Sequence, residues 1–134
     1  MTSGYSKQPL VKKLGIKEGA KIRIINAPEY YFELLGELPE IEVLNNNSEK
    51  ADFIHLFSKS VKEFENQFFI LKEEIEKDGM IWVSWYKKAS KIPTDLNENI
   101  IRDAALSLGL VDVKVCAIDE KWSGLKIVRR KENR

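Results

Sequence analysis

Between residues 53 and 85, two short and mostly apolar runs flank a stretch whose apolar residues recur at helical spacing. Nothing else in the chain restricts its fold as strongly. Phe53-Ile54-His55-Leu56-Phe57 and Met80 to Trp85 have the length and the branched and aromatic content of buried strands. Between them Val61, Phe64, Phe68, Leu71 and Ile75 form one apolar stripe, which predicts a helix over Ser60 to Lys77. Ser60 and Glu63 make a capping-box pattern at its start, and Gly79 stands where a C-cap glycine belongs. A strand, an amphipathic helix and a strand make a crossover unit, in which the two strands run parallel and the connection is right-handed.

The remaining elements extend this unit in both directions. Pro9, Leu10, Val11 and Leu14 predict a short N-terminal helix with Ser6 as cap and Gly15 at its end. Gly19 introduces a strand over Ile22 to Ile25, and Pro28 starts one or two helical turns over Glu29 to Leu35. Ile41 to Leu44 reads as a second, short strand, followed by the turn Asn45-Asn46-Asn47-Ser48. Beyond Trp85, Lys87 to Thr94 is a polar loop containing Pro93. Ile100, Ile101, Ala104, Ala105 and Leu108 then mark an amphipathic helix closed by Gly109. Strands over about Val111 to Ile118 and Ser123 to Val128 are joined by a turn at Asp119-Glu120-Lys121, too short for a crossover, so the last strand runs antiparallel.

The expected fold class is therefore α/β, a Rossmann-like, mostly parallel sheet closed by a C-terminal antiparallel β-hairpin. Its strand order is second, first, third, fourth, sixth, fifth. This resembles the class I methyltransferase core with the third strand and its helix left out. One joint is tight: Asn45 to Lys50 reaches at most about 20 Å at roughly 3.4 Å per residue. The second strand is therefore either very short or not parallel.

The chain's 134 residues suit a single domain over residues 1–134, with the basic run Arg129-Arg130-Lys131 and Glu132 as a frayed tail. With 22 basic and 21 acidic residues the net charge is +1, which gives no electrostatic footprint for nucleic acid or an anionic membrane. Met1 to Gln8 lacks the apolar stretch of a signal peptide, and no apolar run is long enough to span a bilayer. One cysteine, Cys116, excludes an intrachain disulfide and fits a reducing compartment, so the expected location is cytoplasmic. Self-association stays open.

Three stretches carry a family resemblance that covers nearly the whole chain. They are Gly4-Tyr5-Ser6 through Pro9-Leu10 to Lys13-Leu14-Gly15-Ile16; Trp85-Tyr86-Lys87-Lys88 with Thr94-Asp95-Leu96; and Val113-Lys114-Val115-Cys116-Ala117 to Asp119 with Trp122-Ser123-Gly124. Together they resemble a bacterial family of small proteins known only as a domain of unknown function. Tyr86 departs from its pattern, standing where proline would be expected before the lysine pair. The resemblance implies no activity.

Sheets of this kind bind ligands beyond the carboxyl ends of their strands, where the strand order reverses. In a methyltransferase a glycine-rich turn follows the first strand, and an acidic residue closes the second and holds the cofactor's ribose. Here those places hold Asn26-Ala27-Pro28-Glu29 and Leu44-Asn45, while Glu42 lies inside its strand. No S-adenosylmethionine site is expected, and no cofactor. The topology instead gathers Lys87 and Lys88, Asp119, and Trp122 with Ser123 at one rim. These are candidate ligand-binding residues for a small anionic or planar molecule. The plainer alternative leaves the lysines solvated, Asp119 shaping a turn and Trp122 covering the core.

Cys116 lacks an evident base, because His55, the only histidine, sits among apolar strand residues. Lys114 shares its strand face with Cys116 and would favour the thiolate only if that face were open. One cysteine and one histidine give no zinc spacing, and Glu73, Glu74 and Glu76 read as solvated helix-surface residues. The leading expectation is a binding or regulatory domain on a degenerate methyltransferase-like fold. The alternatives are a small-molecule transferase using Lys87, Lys88 and Asp119, or an interaction module with an exposed patch of Trp85, Tyr86 and Trp122.

Overall fold

A computed structural model describes residues 9–133, and the cap expected at Ser6 lies outside them. The elements run α1 (Leu10–Leu14), β1 (Lys21–Ile25), α2 (Tyr31–Leu35), β2 (Glu42–Val43), β3 (Ala51–Phe57), α3 (Val61–Phe68), β4 (Ile75–Tyr86), α4 (Glu98–Ser107), β5 (Leu110–Ala117) and β6 (Trp122–Arg129). The strands form one sheet in the order β2-β1-β3-β4-β6-β5, as the sequence predicts. β2, β1, β3 and β4 are mutually parallel, and β6 runs antiparallel between β4 and β5. The tight joint closes because β2 has only two residues, pairing Lys21 with Glu42 and Ile22 with Val43. The return to β3 crosses only β1, a lateral step of roughly 10 Å, within the reach of the connecting loop.

The sheet divides the core in two. On one side Phe64 and Phe68 of α3 and Ile101 and Ala105 of α4 cover Ile54, Leu56, Ile81, Val83, Leu125 and Ile127. On the other, Leu10, Val11 and Leu14 of α1 and Tyr31 and Leu35 of α2 cover Ile22, Phe53, Phe57 and Trp82. Trp82 Nε1 donates to the carbonyl of Leu14 at 2.9 Å, tying α1 to the sheet. His55 is fully buried between Tyr31 Oη at 2.8 Å from Nδ1 and Ser84 Oγ at 2.7 Å from Nε2, and it stacks on Phe57. Both ring nitrogens are thus satisfied inside the core, as a buried imidazole requires, and burial pushes its pKa down to about 3.

Two expectations are corrected. The helix predicted over Ser60 to Lys77 stops at Phe68. Leu71–Glu74 forms a 3₁₀ turn, and Ile75 already begins β4, pairing with Ala51. Leu71 and Ile75 still point into the core, so the stripe's spacing continues although the helix does not. Glu73, Glu74 and Glu76 therefore lie on no helix surface in the α-helical sense, and Glu74 is buried in an ion pair with Arg23. Gly79 is a strand residue, not a helix cap. A Cβ there would lie 2.9 Å from the carbonyl oxygen of Asp52 and 2.8 Å from Ile75 Cγ1. The second correction concerns Arg129, which does not belong to a loose tail. It ends β6 and donates to the carbonyls of Lys72 at 2.6 Å and Ile75 at 3.2 Å.

The start of α3 follows the sequence closely: Ser60 Oγ accepts from the Glu63 amide at 3.1 Å, and Glu63 Oε1 accepts from the Lys59 amide at 3.0 Å. Because Phe68 is fully buried, Phe68→Ala should cost about 3–5 kcal/mol in urea unfolding; a loss below ~1 kcal/mol would show that α3 does not anchor this half of the core. His55 sets a pH dependence whose sign follows from its depressed pKa. The unfolded histidine takes up a proton near 6.5, while the native one stays neutral to about pH 3. Stability should therefore be complete above that upper value and fall by roughly 1 kcal/mol per pH unit below it. Unfolding curves for wild type and His55→Gln between about pH 7 and pH 4 isolate this slope, and equal slopes would contradict it.

Candidate functional site

The carboxyl end of β4 opens into a basin of about 540 Å³, walled by Trp85, Lys87, Lys88, Lys91, Asp95 and Leu96 among others. The loop that shapes it is held by its own polar side chains. Ser90 Oγ donates to the Lys87 carbonyl at 2.7 Å and accepts from the Ile92 amide at 3.1 Å. Thr94 Oγ1 donates to the Lys59 carbonyl at 2.8 Å and accepts from the Leu96 amide at 3.1 Å. Asp95 Oδ1 accepts from the Val61 amide at 2.8 Å, and Asn97 caps α4 by accepting from the Ile100 amide at 3.0 Å. Both carboxylates in the wall are engaged, Asp95 at the start of α3 and Glu98 with Arg102. Lys88 and Lys91 are exposed and enter no ion pair among the described residues, so the basin presents positive charge beside a buried indole.

Asp119 and Trp122 lie on the other side of the sheet. Asp119 Oδ1 accepts from the amides of Lys121 at 2.8 Å and Trp122 at 2.9 Å, which fixes the β5–β6 turn. The Lys121 carbonyl in that turn accepts from the Lys87 amide at 2.9 Å. Trp122 is 3% exposed, stacks on Tyr86 at 4.3 Å and meets Phe57 edge-on at 5.0 Å. The Tyr30 hydroxyl joins this group; burial and then its hydrogen bond to Asp119 push its pKa up. Ser123 pairs with Trp85 and shares its face, opposite to Trp122, because successive strand residues alternate. Lys87 and Lys88 are thus brought together in the basin, Asp119 and Trp122 together behind it, and Ser123 stands beside Trp85 outside the basin wall. Trp85 and Trp122 are buried and Tyr86 half-buried, so these rings make no exposed patch.

The sequence reading missed Lys91, Asp95 and Asn97. The signal was available in Thr94-Asp95-Leu96-Asn97, where short polar side chains flank the start of a helix, as caps do. Cys116 is half-buried on the α1 side. Burial pushes its thiol up, only partly offset by Lys13 and Lys114, so it stays protonated and poorly nucleophilic.

No protein-family model matches the chain, and no curated protein matches it in sequence. Its fold is shared with solved methyltransferases. Ribosomal protein L11 methylase from Lactobacillus delbrueckii subsp. bulgaricus matches with a TM-score of 0.56 at 11% identity, covering 90% of this chain and 75% of that one. Magnesium protoporphyrin IX methyltransferase from Synechocystis PCC 6803, solved with bound SAH, gives 0.59 at 11% identity, covering 90% and 78%. A SAM dependent methyltransferase from Aquifex aeolicus gives 0.53 at 14% identity, covering 88% and 86%. These likenesses establish a methyltransferase-like Rossmann fold.

The fold family implies S-adenosylmethionine, and the residues present do not fit it. The ends of β1 and β2 do border a hollow of about 400 Å³, with Asn26, Phe32 and Asn45 in its wall. Yet the turn after β1 has no glycine, Pro28 has no N–H to donate, and the Pro28 carbonyl is taken by the Tyr31 amide at 3.0 Å. Asn26 adopts the left-handed conformation (φ 59°), and its side-chain amide is spent on Gln67 of α3 at 2.6 Å. No carboxylate closes β2, where Leu44 and Asn45 follow Val43. Ser58 Oγ, buried at the end of β3 without a hydrogen-bond partner among the described residues, is not in the wall of this hollow.

Proposed function

We propose that this chain is a binding or regulatory domain that holds a small, flat anion in the basin over the carboxyl end of β4. The supporting observation is a hollow of about 540 Å³, within the size range of small-molecule sites, whose carboxylates are engaged elsewhere while Lys88 and Lys91 are not. In this reading the two lysines supply charge-assisted hydrogen bonds to a carboxylate or phosphate. Trp85 gives the apolar wall for a planar body. Lys87 contributes through its place in the wall. Asp119 and Trp122 act as positioning residues, since they hold the turn whose Lys121 carbonyl anchors Lys87. Ser123 supports Trp85 from the neighbouring strand.

The structural neighbours favour a second reading, a small-molecule transferase with the same basin as its substrate side. The two readings separate on the methyl donor. Ligand that binds only the folded state at about 100 times its Kd adds ~2.7 kcal/mol of stability. Under the first reading 2-naphthoate and related aryl carboxylates stabilise the wild type. The Lys88→Ala/Lys91→Ala variant, which changes only exposed side chains, keeps its own melting temperature and loses that gain. S-adenosylmethionine and S-adenosylhomocysteine give no saturable shift. A saturable shift with either compound would transfer support to the transferase, and unchanged aryl carboxylate binding in the double variant would remove the basin from both readings.

A further inference from the structure

The face of the β5–β6 hairpin turned toward α1 carries a charge arrangement that the basin does not use. Lys114 of β5 and Lys126 of β6 stand directly opposite each other. Like charges in that relation destabilise a sheet. A lysine on an edge strand is a common guard against unwanted strand pairing, and β5 is an edge strand, so Lys114 alone would need no further account. Lys126 is different. It lies on β6, flanked on both sides by β4 and β5, is half-buried, and is registered with Trp82 on β4. Lys114 Nζ sits 6.0 Å from the centre of the Trp82 ring, so both ammonium groups belong to the same side of the sheet.

No carboxylate among the described residues forms an ion pair with either lysine. The ion pairs among the described residues join Lys21 to Glu49, Arg23 to Glu74, and Arg102 to Glu98 and Asp112. Asp112, on the same strand as Lys114, lies across a register shift that turns it to the α4 side, where Arg102 takes it. Burial lowers the pKa of Lys126, and Lys114 and then Lys17 lower it further, with no acid among the causes. Lys17 also borders a separate hollow with Glu18 and Asp78, so the centre of the arrangement is the Lys114–Lys126 pair. Lys13, also near this face, is committed to the Ala117 carbonyl at 3.1 Å.

We infer that this face is a second binding site, for a phosphoryl group carrying at least two negative charges, held between Lys114 and Lys126 with Lys17 at its margin. The donors argue for that class. Two ammonium groups facing each other with no acid between them call for more than one negative charge on the ligand, which a phosphoryl group carries on a single centre and a lone carboxylate does not. The phosphoryl group can come from a soluble molecule or a lipid headgroup.

The test uses the full chain with pyrophosphate, inorganic phosphate, and chloride at matched ionic strength. Pyrophosphate should raise the melting temperature and bind saturably, more tightly than phosphate, while chloride does neither. Lys126→Met and Lys114→Met keep apolar cover over Trp82 and remove the repulsion. Each should melt at or above the wild-type temperature without ligand, yet bind pyrophosphate roughly tenfold or more weakly, as expected for one lost charge-assisted contact. In the Lys88→Ala/Lys91→Ala variant, which lacks the exposed cations of the basin, pyrophosphate should still bind saturably, and adding Lys126→Met should weaken that binding roughly tenfold or more, which separates this site from the basin. Sedimentation with phosphatidic acid vesicles against phosphatidylcholine vesicles identifies the source: selective, Lys126-dependent co-sedimentation assigns a lipid headgroup, and its absence alongside pyrophosphate binding assigns a soluble ligand. Equal stabilisation by chloride and pyrophosphate, or undiminished pyrophosphate binding in both methionine variants, would overturn the inference.

Discussion

Both faces of the β3–β4 pair are closed to water, and most of the architecture answers that condition. Phe53, His55 and Phe57 point to one layer and Ile54 and Leu56 to the other, so a single strand feeds two cores. Helices must then lie on both sides, and strands that run parallel must send their carboxyl ends to one edge. Apart from Ser58 Oγ at the end of β3, the polar side chains described inside this double core are few and satisfy one another or nearby backbone. Tyr31, His55 and Ser84 form a closed chain across three elements, and the Trp82 indole reaches back to α1. Such a chain specifies how α2, β3 and β4 must meet, because any other packing would strand a buried donor or acceptor.

The carboxyl edge is where this order leaves polar groups to spare. Around β4 the loop from Lys87 to Asn97 satisfies itself, with Ser90, Thr94, Asp95 and Asn97 each bonding nearby backbone. A loop so tied holds its shape without a ligand, and Lys88 and Lys91 on it stay exposed with no ion pair among the described residues. Around β1 the reverse holds, since the Asn26 amide and the Pro28 carbonyl are already occupied. A fold shared with methyltransferases at 11–14% identity therefore carries the scaffold over without its cofactor contacts, as fold and function are separable.

Much of this was legible from the residues. Strand–helix–strand patterning with a closing hairpin admits few topologies, and the right-handed rule selects the strand order found. The capping pair Ser60 and Glu63 and the burial of His55 could also be read directly. The end of α3 could not. Leu71 and Ile75 continue the helical spacing and remain buried, and periodicity does not distinguish a helix from a 3₁₀ turn that delivers the same residues to the same core. The division of the rim was within reach but needs two rules together. Parallel strands bring Lys87, Lys88, Asp119, Trp122 and Ser123 to one edge, while the two-residue period sends Trp122 and Ser123 to opposite layers. Asp95 is legible as a capping residue, but its place in the basin wall, like that of Lys91, follows only from the loop's return to Lys59 and Val61.

The central claim is that ligand chemistry on this fold sits over β4 and not in the hollow beside β1 and β2. Amide chemical-shift mapping during titration with 2-naphthoate tests it most directly, because each segment reports separately. The account predicts saturating shifts confined to residues 85–98, with the amides of residues 26–32 and 43–45 unmoved. Saturating shifts centred on Asn26 to Phe32, with the β4 loop silent, would contradict it.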